Sequence, residues 1–220
     1  YGDLYGDSVK LADLPPYLPE AVLATEDRRF YSHWGIDLRG IARALYVNFK
    51  AGDTVQGGST ITQQVAKNLF LTPERSLHRK GQEMLLALWL ERTFTKDEIL
   101  GLYLNRVYFG AGTYGVDAAA KKYFGRSARD ITIYQAAMLA GLLKAPSRYN
   151  PFNDKALAQS RAQLVIRNMV DAGQLTEAEA NAISKSAAPA MIAQGKNQIG
   201  QHFADWVIDQ VSSYVGFADQ

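Results

Sequence analysis

The sequence has no cysteine among its 220 residues, which excludes disulfides and thiolate metal sites. No run of about 18 uninterrupted apolar residues occurs, so the printed sequence holds no predicted bilayer-spanning helix. Its three histidines lack HExxH spacing, which argues against a histidine-based metal site. With a net charge of +2 and no dense basic stripe, we expect no nucleic-acid partner. The glycine, lysine and hydroxyl order of a Walker A loop is also missing.

What is present is helical patterning. With 47% apolar residues, the chain has enough material for a sizeable core. Several threonines stand three residues before a glutamate or glutamine, which is the spacing of a capping box at a helix start. Among them are Thr95 with Glu98, Thr132 with Gln135, and Thr176 with Glu179. Another helix is predicted between a cap at Asp37 and a stop at Gly52. We therefore predict a mainly α chain of nine or ten helices, without clear strand pairs.

One predicted helix carries a charged stripe. Arg75, Arg79 and Glu83 follow one another at intervals of four residues, so they share a helix face. The opposite side is apolar and is predicted to face the core: Leu77, Met84 and Leu88. The stripe has two interpretations. It is either a solvated face with ion pairs, or part of an anion site for phosphate or pyrophosphate, formed by Lys67, Arg75, Arg79 and Lys80.

The stretch "QGGSTITQQVAKNLF" places hydrogen-bonding side chains at the start of a predicted helix. Glycines permit a close approach of the backbone to a ligand, and free N–H groups at a helix start favour anions. The polar groups are Ser59, Thr60, Thr62, Gln63 and Gln64. Lys67 lies one turn after Gln63. The stretch is either a serine cap with a polar surface or a helix end that faces an anionic or sugar ligand.

A second acidic candidate lies in "ATEDRRFYSHWGID", where Glu26, Phe30 and His33 fall on one helical face. Glu26 follows an apolar run, and burial there would raise its pKa and suit it to proton transfer. The alternative is a surface acid beside two arginines. We interpret His33 as a structural residue rather than a catalyst.

In order, these segments resemble the peptidoglycan glycosyltransferase domain of family 51, as in class A penicillin-binding proteins and monofunctional transglycosylases. "EDRRFYSHWGID" is similar to the first motif, "GGSTITQQ" to the second, and "RKGQE" to the third. "ILGLYLNRVYFG" resembles the fourth, and "AAKKYFGRSARDITIYQAAMLAGLLKAPSRYNP" the fifth. The resemblance implies a mainly α, lysozyme-like domain with a smaller, membrane-proximal jaw lobe beside a long cleft.

The resemblance also implies residue roles. Glu26 matches the catalytic base that deprotonates the 4-hydroxyl of the acceptor sugar. Glu83 matches the glutamate that assists at the donor pyrophosphate, directly or through a divalent cation. The basic positions near the pyrophosphate would be Lys67, Arg75, Arg79 and Lys80. The cleft positions that contact the ligand would be Phe30, Ser59, Gln63 and Gln64.

The family implies lipid II and the growing glycan strand as substrates, with membrane lipid at the apolar side of the smaller lobe. It implies no tightly bound cofactor, while Mg²⁺ or Mn²⁺ near Glu83 remains an option. The expected location is the outer face of the bacterial cytoplasmic membrane, with an N-terminal anchor outside the printed sequence. A lysozyme-like peptidoglycan-cleaving enzyme and a non-catalytic module that binds a cell-wall precursor are the alternatives.

We expect residues 1–197 to form the glycosyltransferase domain, with two lobes in one folding unit. Residues 198–220 would form a C-terminal helix that begins a linker to a transpeptidase domain, and further partners would be other cell-wall synthesis proteins. A monofunctional parent is the alternative. The chain departs from the family pattern at Gly101, where a larger residue is frequent, and at Gln135, where glutamate is common.

Overall fold

Nine α-helices and one short β-hairpin form the part of the chain that the computed structural model describes, residues 8–52, 57–71 and 76–186. The helices are α1 (Tyr17–Glu26), α2 (Leu38–Ala51), α3 (Ile61–Phe70), α4 (Leu77–Thr93), α5 (Lys96–Arg106), α6 (Val116–Phe124), α7 (Ile133–Leu142), α8 (Lys155–Asp171) and α9 (Glu177–Ser186). Short 3-10 turns cover Leu11–Asp13, Phe30–Ser32 and Ala128–Asp130. The mainly α prediction is confirmed.

The hairpin was not expected from the sequence. Strands β1 (Tyr108–Gly110) and β2 (Thr113–Tyr114) pair antiparallel within a segment predicted to be irregular. Strands of three and two residues are too short to show an alternating pattern. The turn between them places Ala111 at a φ of 51°, in the left-handed region.

The predicted capping boxes are present. Thr95 and Thr132 each accept a hydrogen bond from the backbone N–H of the third helical residue, whose side-chain oxygen accepts one from the threonine N–H. Thr176 and Glu179 make the same reciprocal pair. These motifs are local, so the sequence alone locates them. The helix predicted between Asp37 and Gly52 is also present, with these residues at its N-cap and C-cap positions, although the Asp37 side chain makes no cap bond and lies 3.7 Å from Arg29.

The main core forms around α7, which is buried along most of its length. Helix α7 packs against α1 and α8, while α3 packs against α4 and α5. Because α1 ends at Glu26 and α3 begins at Ile61, hydrogen bonds from Ile61 to Asp27 and from Gln64 to Glu26 bring the first and second motifs together. The core therefore supports the segments that carry the candidate site.

Helix α2 lies largely outside this core. Among its described residues only Gly40 and Ala44 are buried, and the large apolar side chains point to solvent: Leu38, Leu45, Tyr46 and Phe49. Its contact with the rest is close at one point, where a Cβ on Gly58 would lie 3.3 Å from the Ile41 Cα. This arrangement is compatible with a separate small lobe, and the two-lobe division remains a prediction.

The predicted core face of α4 was wrong. Leu88 is 44% exposed, whereas Glu83, Ala87 and Leu90 are buried. Met84 is partly buried, and the Leu77 side chain lies outside the described residues. The helical wheel failed because Glu83 is buried with cationic partners while leucines face outward. Arg79 and Glu83, the two described residues of the charged stripe, therefore point into the protein.

None of the helices described here has the length and apolar character needed to cross a bilayer. Residues 198–220, for which a helix was predicted, lie outside the described ranges.

Candidate active site

Glu26 is the last residue of α1 and is partly buried. Its Oε2 accepts a hydrogen bond from the Gln64 side-chain amide at 3.0 Å. The other end of that amide, Oε1, accepts a hydrogen bond from the Tyr103 hydroxyl, also at 3.0 Å. The side chains of Glu26, Gln64 and Tyr103, from α1, α3 and α5, therefore form a hydrogen-bonded row.

Burial raises the pKa of Glu26 above its usual value, because it removes the carboxylate from water. The Gln64 hydrogen bond, Arg161 and Lys144 oppose this rise, and the neighbouring Asp27 adds to it. The net direction is upward, which suits a carboxylate that must take up a proton. This direction agrees with the rise in the pKa of Glu26 that was expected from the sequence.

Two of these cations were missed in the sequence. Lys144 lies in the fifth-motif segment, and Arg161 lies on α8, next to the buried Ala162. The missed signal is a basic residue among core positions of an amphipathic helix. Such a residue needs a buried acceptor, and Arg161 donates to the Gly141 carbonyl at 3.4 Å.

The loop after Glu26 is fastened to the start of α3. Asp27 accepts hydrogen bonds from the Ile61 backbone N–H at 3.1 Å and contacts His33 Nε2 at 2.9 Å. The Thr60 hydroxyl donates to the Gly35 carbonyl at 2.6 Å. His33 is buried in this network, as expected for a structural residue. The network fixes α1 and α3 relative to each other, and thus Gln64 relative to Glu26.

Glu83, the acidic residue of the charged stripe, is 3% exposed. Its Oε1 pairs with the Lys80 ammonium, and its Oε2 lies 3.6 Å from Arg79 Nη1. Lys80 also donates to the Ser59 hydroxyl at 3.1 Å. The third motif is therefore tied to the second through one lysine.

The Arg79 guanidinium is not fully satisfied. Its Nε and Nη1 are withdrawn from solvent, and within the described ranges neither has a hydrogen-bond acceptor. Buried donors of a charged group are costly to leave unpaired. They are therefore available to an anion that approaches beside Glu83.

The remaining predicted cations differ in what is known of them. Lys67 is exposed and forms no ion pair with any residue that the structure describes. It lies on α3 three residues after Gln64, so both project from neighbouring positions of one helix. Arg75 lies outside the described residues.

Two predicted ligand contacts are placed elsewhere. Phe30 is 1% exposed, and its ring packs in the core with the Lys96 ammonium 4.4 Å from its centroid. Gln63 is 1% exposed, and its Oε1 accepts from the Thr60 N–H in a capping box. Thr60, not Ser59, caps α3. Ser59 is exposed. Both Phe30 and Gln63 are therefore buried in this structure, and their contact with ligand remains a prediction.

The residues present do not form a metal site by themselves. Within residues 8–52, 57–71 and 76–186 there is no group of three histidine, aspartate or glutamate side chains placed to hold a metal ion. Both oxygens of Glu83 also meet cations. A divalent ion there would need most of its ligands from the substrate.

The arrangement joins two carboxylates through one short segment. Gln64 touches Glu26, and Ser59 touches the lysine that holds Glu83. Lys67 extends the same segment by one turn. A proton acceptor and a group of cations thus lie along the segment 59–67, which is an arrangement able to activate a hydroxyl and to neutralise a departing phosphate.

Comparison with known proteins gives a consistent result. Residues 3–170 match the family model described as Transglycosylase. Penicillin-binding protein 1A of Aquifex aeolicus (strain VF5) is 48% identical over 208 residues, which are 94% of this chain and 28% of the relative. That of Neisseria flavescens is 48% identical over 176 residues, 80% of this chain and 22% of the relative.

A crystal structure of penicillin-binding protein 1A from Haemophilus influenzae is also similar. It matches with a TM-score of 0.52 and 26% identity, over 96% of this chain and 21% of that one. The chain thus spans about a quarter of the length of these relatives.

Proposed function

This chain belongs to the transglycosylase family, the peptidoglycan glycosyltransferases, and on that premise we propose that it polymerises lipid II into β-1,4-linked glycan strands. Undecaprenyl pyrophosphate leaves in each step. The family agrees with the resemblance drawn from the five motifs. The substrates, the roles of individual residues and the whole protein's partners are part of the proposal.

The proposal rests on one observation. Two carboxylates from distant parts of the sequence lie beside the segment 59–67, and they have different kinds of partner. Glu26 has a neutral amide as its hydrogen-bond partner, whereas Glu83 has Lys80 and Arg79. A glycosyl transfer from a lipid pyrophosphate needs one base and one cationic clamp, because the pyrophosphate leaves without protonation once its charge is neutralised. Glu26 would be the base, and the cations beside Glu83 would form the clamp.

In the proposed step, Glu26 accepts the proton of the acceptor sugar's 4-hydroxyl as its oxygen attacks the anomeric carbon of the donor. The bond to the pyrophosphate oxygen breaks on the opposite face, so the α-linked donor gives a β product with inversion. General-base action of this kind contributes about 10²–10⁴-fold to a rate. The partial burial of Glu26 raises its proton affinity and so favours its role.

The leaving pyrophosphate is neutralised by the cations beside the segment 59–67. The Nε and Nη1 of Arg79, which have no hydrogen-bond acceptor in the described ranges, and the exposed ammonium of Lys67 would donate to phosphate oxygens. Donors aimed at developing charge in a dry site contribute about 3 kcal/mol each. Glu83 keeps Lys80 and Arg79 in place between turnovers. Arg75 belongs to this group by the motif match alone.

No step of this mechanism depends on a divalent cation. Mg²⁺ or Mn²⁺ would sit between Glu83 and the pyrophosphate, and the phosphate oxygens would supply the ligands that the protein lacks. There it would add positive charge to the clamp.

We also propose that α2, α3 and α4 touch membrane lipid. Of the twelve large apolar side chains that are exposed in the described part of the chain, nine lie on α2, α3 and α4. Phe70 and Trp89, which form an edge-to-face pair, belong to them together with Leu69. Leu71, which follows them at the end of α3, is only partly exposed. An apolar surface of this kind usually meets lipid or protein, and lipid II is delivered from a membrane.

The relatives are penicillin-binding proteins about four times as long as the matched segment. We propose that the whole protein works at the outer face of the cytoplasmic membrane and carries a transpeptidase domain. Other cell-wall synthesis proteins would be its partners.

The test is a turnover assay. Labelled lipid II is incubated with the chain in detergent, with Mg²⁺, with Mn²⁺ or with a chelator, and the products are separated on a gel. The proposal expects a ladder of glycan polymer. Release of sugars from purified cell wall without polymer formation would contradict it and favour a cleaving enzyme. Binding of lipid II without turnover would favour a non-catalytic module.

A further inference from the structure

We propose that Tyr103 is a positioning residue for the transfer reaction: its hydroxyl holds the Gln64 amide with the N–H end toward Glu26. The inference rests on the proposed role of Glu26 as the base. Tyr103 was not among the residues singled out in the sequence, and it does not touch the substrate in this proposal. It acts only through Gln64.

The chemistry of an amide explains why a second partner matters. An ionised carboxylate only accepts hydrogen bonds, so Gln64 must present Nε2 to Glu26. The amide oxygen then faces the other way and needs a donor. The Tyr103 hydroxyl supplies it at 3.0 Å. With both ends satisfied, one orientation of the amide is preferred over all others.

Without that hydroxyl, Oε1 would face the interior with no donor. An unsatisfied buried acceptor is costly. Gln64 is only partly buried, so its side chain has an alternative: it can turn toward the cleft and bond to water or substrate. The hydrogen bond to Glu26 would then be lost. The hydroxyl therefore controls whether the base keeps its neutral donor.

Tyr103 is well placed to be a fixed point. It lies in the middle of α5, which begins in a capping box, and it is 1% exposed. Its ring belongs to the main core, and α5 packs directly against α3. A ring packed in this way has little freedom to move, so the hydroxyl stays where Gln64 needs it.

The charged and titratable groups around Glu26 come from every side. Arg161 faces it from α8, Lys144 from the segment after α7, Asp27 from the next residue, and Tyr103 from α5. Among these contacts, the Gln64 bond is the one that the Tyr103 hydroxyl controls. Its loss leaves burial less opposed, so the pKa of Glu26 rises further.

The variant Tyr103→Phe removes the hydroxyl and keeps the ring. We expect the acid limb of kcat/KM for lipid II polymerisation to move to higher pH. On that limb the rate falls about tenfold, and it recovers toward the wild-type rate at higher pH. A merely structural defect would lower the rate at all pH values alike.

Tyr123→Phe is the matched control. Tyr123 is also fully buried, and its hydroxyl donates to the Phe109 carbonyl at 3.0 Å, away from Glu26. It should lose a similar amount of thermal stability without a shift of the acid limb. If both variants give the wild-type limb, or both shift it equally, the proposal is overturned.

A double-variant cycle tests the route through Gln64. In a Gln64→Met background, Tyr103→Phe should add no further shift of the acid limb. A shift that persists undiminished there would overturn the proposal, because it would act on Glu26 without the amide.

The side-chain amide of Gln64 gives a readout that needs no Tyr103 variant and no activity. Its ¹⁵N-bound protons, assigned by their absence in Gln64→Met, should exchange with water more slowly than those of the exposed Gln163. Equally fast exchange at Gln64 and Gln163 would overturn the proposal even if Tyr103→Phe failed to fold.

The failure of this inference is distinguishable from failure of the base assignment. If Glu26→Gln polymerises lipid II normally, the base role is wrong. If Glu26→Gln is inactive while Tyr103→Phe matches Tyr123→Phe, only the inference about Tyr103 is wrong.

Discussion

The segment 59–67 lies beside two glutamates, and these two glutamates have opposite kinds of partner. At one end, Glu83 has both oxygens next to cations, so its charge is compensated by the protein itself. At the other end, Glu26 has a neutral amide at hydrogen-bond distance, and its cations act from further away. The closest positive charges in the site therefore lie beside Glu83 and not beside Glu26.

This difference teaches how two acidic residues in one cleft acquire separate roles. A carboxylate paired with lysine and arginine anchors those cations where a phosphate arrives. A carboxylate that is partly buried beside a neutral donor is a better proton acceptor. The partners, rather than the residue type, divide the work between Glu26 and Glu83.

The largest expected effect breaks the base end. Glu26→Gln keeps the size of the side chain and removes the proton acceptor, so polymerisation of lipid II should fall by about 10²–10⁴-fold. The fold should stay intact, as judged by circular dichroism. Glu20→Gln on the same helix is the control and should keep the wild-type rate. Equal rates in the two variants would remove Glu26 from the mechanism.

The next effect concerns the clamp end. Lys67→Ala should weaken binding of a phosphate-bearing glycolipid such as moenomycin by about tenfold or more, because a charge-assisted contact is lost. The loss should shrink at high salt. Lys185→Ala, which removes an exposed lysine on α9, serves as the control. An unchanged affinity in Lys67→Ala would make this residue an ordinary surface cation.

A smaller effect appears in stability. The pKa of Glu26 is raised in the folded state above its ordinary value of 4.5, so folding favours the protonated form. As pH rises from about 4.5 through the folded-state pKa, the wild-type chain therefore loses stability relative to Glu26→Gln. Thermal unfolding at a series of pH values measures this. A gap between the two proteins that does not change with pH would contradict the account.

The smallest effect separates fold stability from the site. Gly101 lies in the interior of α5, and a Cβ there would have no atom within 4 Å. Gly101→Ala should stabilise the chain by about 0.5–1 kcal/mol and leave turnover unchanged. Denaturant unfolding gives the free energy.

Gly141→Ala gives the contrast on the base side. A Cβ there would lie 2.9 Å from Cγ of Arg161, one of the cations that faces Glu26. We expect destabilisation and a change of the acid limb of the rate. Stabilisation by Gly141→Ala, or a changed acid limb in Gly101→Ala, would show that charge near Glu26 and helix stability are not separable in this way.

Local signals in the sequence predicted more of the fold than of the site. The capping boxes at Thr95 and Thr132 depend on residues three apart, so no tertiary information was needed. The inward face of α4 was predicted wrongly because helical wheels assume that leucines avoid the outside. That assumption fails where a buried glutamate brings its own cations and where the outer surface is apolar.

The site showed the same limit. The motifs located Glu26, Gln64 and Glu83, but the contacts among them are long-range. Nothing in the local pattern pairs Gln64 with Glu26, 38 positions away, or Tyr103 with Gln64, 39 positions away. Gln63 was chosen as readily as Gln64. The capping-box spacing of Thr60 and Gln63 could have assigned the first of them to a helix cap, but only the tertiary structure shows that Gln64 meets Glu26.

The central claim is that the carboxylate without a close cation is the base. The most direct test is a ¹³C NMR titration of the Glu26 carboxyl, assigned by its loss in Glu26→Gln, compared with the pH profile of kcat/KM. We predict that Glu26 titrates above 4.5 and that its midpoint coincides with the acid limb of the rate. An acid limb that remains unchanged in Glu26→Gln, at an undiminished rate, would contradict the claim.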